Sequence, residues 1–112
     1  MRSKVSSTLT LDGSGNGVIT MALPTARLMG IFIDVLTGSS FPYTLANMGR
    51  TIVAETATAD KFVPIGELLR TATGTASTDY APGAAIVHGN VTFTVAAGTA
   101  GGTLTVRFFY DD

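Results

Sequence analysis

Cysteine is absent from this chain of 112 residues, which excludes disulfide staples and thiolate-bound metals. Tryptophan is also absent and histidine occurs once, so neither a tryptophan sugar platform nor a histidine metal cluster can be built. Charge is scarce. Lys, Arg, Asp and Glu make up 13% of residues, against roughly 25% in ordinary soluble domains. A net charge of −1 and a pI near 5.6 supply no attraction for nucleic acid or acidic lipid, and we expect neither as a partner. No apolar run approaches the roughly 20 residues of a spanning helix. The longest, Leu28 to Leu36, is broken by Gly30 and Asp34, so no membrane is expected. Basic residues in Met1-Arg2-Ser3-Lys4-Val5 are not followed by an apolar segment. A secretory signal is therefore not expected, and synthesis in a cytoplasm is.

Against this scarcity, 46% of residues are apolar and mean hydropathy is +0.38. A monomer of this mass exposes about 5,800 Å², which the few charges cover thinly. Association with other subunits is the simplest way to hide the surplus. The length fits one domain, 1–112, whose N- and C-terminal tails we expect to be ordered by contacts.

Short alternating runs of Thr, Val, Ile and Phe, separated by Gly, Ser, Asn, Asp or Pro, predict strands and turns. Thr8 to Leu11 and Val18 to Leu23 flank a Gly-rich turn and predict an opening hairpin, with Leu9, Leu11, Ile19, Met21 and Leu23 on one face. Pro24 is expected to end that strand, and Ala26 to Leu36 to form a central one with a bulge or a close approach by another backbone at Gly30. Further strands are expected at Tyr43 to Asn47, Thr51 to Thr56 and Lys61 to Ile65, then at most a helical turn over Gly66 to Arg70 and a long loop from Thr71 to Ala85. Gly89 to Ala96 and Thr103 to Tyr110 predict a closing hairpin. Val91, Phe93, Val95, Leu104, Val106, Phe108 and Tyr110 face inward, leaving Arg107 and Phe109 outward. This spacing points to an all-β, antiparallel two-sheet sandwich of about seven or eight short strands, with jelly-roll connectivity as one option.

Catalysis finds no support. His88, the one histidine, has no Gly-x-Ser-x-Gly nucleophile elbow to serve, and the acids are scattered without ligand spacing. Asp12-Gly13-Ser14-Gly15-Asn16-Gly17 imitates the start of a calcium loop, but Leu23 stands where the bidentate glutamate belongs. It reads as a turn. We expect no enzyme and no cofactor. Phe41 and Tyr43, flanking Pro42, either cap the sandwich end or anchor a subunit contact; Arg107 with Phe109, and Tyr80 in the long loop, are the other interface candidates.

The run of segments Thr8 to Gly17, Arg27 to Asp34, Gly49 to Val53, Val63-Pro64, Gly89 to Val95 and Gly102 to Tyr110 resembles small virion proteins of tailed bacteriophages. That resemblance implies a capsid decoration or cement protein, a homo-oligomer and often a trimer, bound to the major capsid protein or other virion proteins on the capsid surface. A tail, baseplate or head-to-tail connector component, and a lectin-like carbohydrate-binding module using Tyr80, are the alternatives.

Overall fold

Threonine and the β-branched and aromatic residues that alternate along this chain lose little on being extended, and their alternation places one set of side chains on each side of a pleated strand. The computed structural model describes residues 1–65, 68–70, 76–80 and 85–112, with side chains for 1–65 and 86–112. It is all-β: β1 (Arg2–Val5), β2 (Leu9–Thr10), β3 (Gly17–Thr37), β4 (Phe41–Asn47), β5 (Arg50–Ala57), β6 (Lys61–Pro64), β7 (Leu68–Arg70), β8 (Ala76–Tyr80), β9 (Ala85–Val95) and β10 (Thr103–Asp111). Among the described residues there is no helix, and so none long and apolar enough to cross a membrane.

Backbone pairing joins eight of these strands into one antiparallel sheet, in the order β1-β10-β3-β9-β4-β5, with β2 beside β10 and β6 beside β3. Strands β7 and β8 pair only with each other. The expected separation into two hydrogen-bonded sheets is thus not present in the ladder. Nor are all strands short. β3 runs for 21 residues, which would span about 70 Å if straight, yet the longest extent of the molecule is 43 Å. The strand therefore bends. Its two ends come together at the connector 96–102: Gly17 pairs with Val95 at one end, and Thr37 bonds Thr103, hydroxyl to hydroxyl, at 2.7 Å at the other.

Two bulges let this long strand keep one face inward. Buried positions run Ile19, Leu23, then Ala26, Leu28, then Ile31, Ile33, with steps of three after Leu23 and Leu28. Register shifts fall at both places, between Leu23 and Ala26 against β9 and opposite Gly30 and Leu28 against β10. Each extra residue bends the strand and flips its parity, so the next apolar residue again points to the core. Pro24 sits inside the first bulge instead of ending the strand, because a bulged position has no ladder bond for its missing N–H to lose.

Both expected hairpins are corrected. β2 turns away from β3 and pairs with β10, Leu9 opposite Leu104. β9 and β10 lie on opposite sides of β3 and do not pair. Alternation fixes which face a side chain takes, not which strand lies alongside. The facing itself agrees: Leu11, Ile19, Leu23, Val91, Phe93, Val95, Leu104, Val106, Phe108 and Tyr110 share one buried cluster, with Leu9 and Met21 packed against it. Phe41 and Pro42 begin β4, two residues before the expected start at Tyr43, and Pro42 precedes the first β4 pair with β9 at Tyr43. Leu68–Arg70 is a strand, not a helical turn, Ala76–Tyr80 is a strand within the expected loop and Ala85 already belongs to β9; residues 71–75 and 81–84 of that loop lie outside the described residues.

Candidate functional site

Phe41 and Tyr43 leave the interface list. Phe41 is wholly buried, its ring against Gly38 and Gly102 at the end of the core. Tyr43 is buried too, stacked on Phe93 with ring centroids 5.0 Å apart and planes 19° from parallel. Both point inward because β4 alternates with Leu45 and Asn47 on the same side. Tyr80 lies in β8, and its side chain is outside the described residues.

Arg107 and Phe109 do lie on the outer face, and the register shows what surrounds them. Val5, Arg107, Phe32 and Phe62 form one row across β1, β10, β3 and β6; Ser3, Phe109, Gly30 and Pro64 form the next. Their chain neighbours Ile31, Ile33, Val63, Val106 and Phe108 are buried, so these rows face outward. Phe62 is 55% exposed and Val5 51%. Phe32 and Phe109 are half-buried. Phe62 meets Phe109 edge to face, centroids 5.9 Å apart at 63°.

Gly30 makes that contact possible. A Cβ at Gly30 would lie 2.6 Å from Phe62 Cζ, so the bare backbone is the floor on which the Phe62 ring lies to reach Phe109. Arg107 donates to Ser3 Oγ at 3.1 Å, holding its guanidinium at the margin of the cluster. Sequence reasoning missed Phe62, Phe32 and Val5. The signal was there for two of them: Phe32 alternates with Ile31 and Ile33, and Phe62 precedes Val63, so each pair puts one apolar side chain outside.

The other outer face, on β3, β9, β4 and β5, carries Val18, Thr20, Thr92, Thr94, Thr44, Ala46 and Ala54 in register, without an ionisable group among them. Thr92 Oγ1 donates to the Ala46 carbonyl at 3.3 Å. Threonine hydroxyls alternate there with small apolar side chains.

Two loci with chemical potential resolve into structural devices. Asp12 Oδ1 accepts the N–H groups of Ser14 and Asn16, at 2.8 and 2.9 Å, and Asn16 Oδ1 accepts Ala97 N–H at 3.0 Å. Those backbone donors, Asn16 foremost and then Ser14, hold the Asp12 carboxyl below its ordinary pKa of 3.8. The loop's oxygens serve its own backbone and the connector 96–102. His88 shares a hydrogen bond through Nδ1 with Thr25 Oγ1 across the bulge in β3. Among the described residues no group of three or more His, Asp or Glu is arranged to hold a metal ion. Comparison with protein-family models and with curated proteins gives no match.

Proposed function

We propose that this protein is a structural virion subunit of the tailed-phage decoration or cement type, which seats on the capsid shell through the Phe62, Phe109, Phe32, Val5 and Arg107 face. The observation that carries this reading is the uncovered aromatic cluster on β10, β3 and β6, with Phe62 more than half exposed over Gly30. Aromatic side chains with an arginine at their margin are the composition of binding hot spots, because they bury large area at small cost in rotamer entropy. The resemblance of the chain's segments to phage virion proteins supplies the partner class, the major capsid protein. The bent β3 supports a two-layered, sandwich-like closure of the single sheet, with jelly-roll connectivity as the finer reading.

The test is direct. Purified protein titrated onto capsid shells assembled without it is expected to saturate at a copy number matched to the lattice. Phe62→Asp is expected to weaken that binding at least about tenfold, equivalent to about 1.4 kcal/mol, while its thermal unfolding midpoint stays near that of the parent. Absence of saturable binding by the parent protein overturns the proposal. Density for the chain on the tail or connector of a reconstructed particle would move it to another virion role.

A further inference from the structure

Along its first half β3 has a partner on one side only. From Gly17 to Leu23 it pairs with β9, and β10 takes up the strand no earlier than Arg27. Alternate residues of an antiparallel strand turn their N–H and C=O groups to opposite sides. The Ala22 carbonyl accepts Lys4 Nζ from β1 at 3.1 Å, so Ala22, and with it Thr20 and Val18, present their backbone away from β9. Among the described residues the backbone groups of Val18 and Thr20 and the N–H of Ala22 meet no hydrogen-bond partner.

Opposite this edge, across a groove of about 320 Å³, run Ser6, Ser7 and Thr8, which connect β1 to β2. Leu9 and Leu11 close the groove at Gly17, where a Cβ would lie 2.9 Å from both leucine side chains. At its other end Lys4 spans the gap. The remaining edges are defended in the usual ways: Arg2 and Lys4 on β1, Lys61 and Pro64 on β6, and a bulge at Ile52 in β5. The seam beside β3 has a regular register from Gly17 to Leu23 and is guarded by the Lys4 side chain.

We infer that this seam binds an extended peptide strand, which pairs antiparallel with Val18, Thr20 and Ala22 and sets an acidic side chain against Lys4. A backbone is the occupant because the seam offers donors and acceptors at every second residue, a repeat that only another chain in β conformation matches. Charge supplies the second requirement. No ionisable side chain lines the groove, and among the described residues no carboxylate lies within ion-pair reach of Lys4, whose ammonium is spent on a neutral carbonyl. An acidic residue on the incoming strand takes that ammonium and releases the Ala22 carbonyl to the new ladder. Because the strand runs opposite to β3, the acid stands at its N-terminal end. The site is separate from the Phe62 face and does not depend on the shell reading.

Amide NMR on the full-length protein reads the seam directly. In the free protein the Val18, Thr20 and Ala22 amides are expected to exchange with solvent quickly, and those of Ile19 and Met21, bonded to β9, slowly. The probe is acetyl-Glu-Thr-Val-Thr-Val-amide, with acetyl-Lys-Thr-Val-Thr-Val-amide as its counterpart. The Glu peptide is expected to shift the Val18, Thr20 and Ala22 amides saturably and to slow their exchange, and the Lys peptide to bind at least about tenfold more weakly. Lys4→Glu, at an exposed side chain, is expected to reverse that preference. Thr20→Pro removes a donor that the β9 ladder does not use and is expected to abolish binding of both peptides; should that variant misfold, the Lys4→Glu exchange still decides. Slow exchange at Val18, Thr20 and Ala22 in the free protein, no saturable shift with the Glu peptide, shifts confined to another part of the molecule, or a preference that Lys4→Glu leaves unchanged overturns the inference.

Discussion

Asn47 is the buried polar residue at the end of β4, and its amide is fully employed. Nδ2 donates to the carbonyls of His88 and Asn90 at 3.0 and 2.9 Å, and Oδ1 accepts His88 N–H at 3.2 Å. Those bonds clamp the kink in β9 where Gly89 takes a φ of +72°. Asn47→Ala strands these backbone groups in a buried site, so a loss of about 1–3 kcal/mol is expected by urea titration. Glycine substitutions should separate strain from collision. Gly89→Ala meets no atom and costs only the left-handed conformation, about 1–2 kcal/mol. Gly15→Ala carries the same conformational cost at φ +77° and drives its Cβ into the Gly98 carbonyl, so its loss should be the larger of the two. Asp12 adds a pH term. Its folded pKa lies below 3.8, so its contribution is full above that value and disappears as pH falls through the folded pKa. The urea midpoint of Asp12→Ala should therefore trail the parent at neutral pH and converge on it in acid.

At the scale of elements, β3 organises the molecule. Its residues pair with β9 along one half, with β10 and β6 along the other, and its bulges turn one strand through the bend. Gly30 does two jobs there: it sits at the second bulge and it underlies Phe62. Sequence reading anticipated a bulge or a close approach by another backbone at Gly30; the bulge occurs, and the closest approach is made by the Phe62 ring. Gly30→Ala would push the flexible end of the Phe62 ring away from Phe109 and press on the Val63 carbonyl at 3.1 Å. Loss of the edge-to-face contact is expected to weaken shell binding more than it lowers the unfolding midpoint, which a paired titration and melting curve would measure. The misread hairpins are instructive at this scale. Thr8 to Leu11 and Val18 to Leu23 do flank a turn, held by Asp12 N–H on the Asn16 carbonyl and Gly15 N–H on the Asp12 carbonyl. The first arm nevertheless leaves for β10, because Leu11 N–H is taken by the Gly102 carbonyl.

For the whole molecule, the scarcity of charge has a definite location. Two of the described ion pairs tie the termini together, Met1 nitrogen with Asp111 at 3.2 Å and Arg2 with Asp112 at 3.2 Å, and a third links Lys61 to Glu55 at 2.7 Å. The Thr and Ala face is left uncharged and the opposite face apolar, with Arg107 at its margin. Binding through such a face is carried by buried apolar area, which salt does not screen. Shell affinity is therefore expected to change less than about threefold between 50 and 500 mM NaCl, as read by co-sedimentation; a steep fall would point to an ionic contact in place of the aromatic one.

The sequence by itself determined the all-β class, the inward faces of the opening and closing runs, Leu9 to Leu23 and Val91 to Tyr110, and the absence of cysteine chemistry, because period-two alternation and composition are local properties. It also put Arg107 and Phe109 outside. Only the tertiary structure decided that β10 and β9 flank β3 and do not pair, that Phe41 and Tyr43 belong to the core, and that Phe62 lies over Gly30 to meet Phe109. Those facts depend on which strand lies beside which, and strand pairing joins residues far apart in the chain whose partners no local pattern encodes.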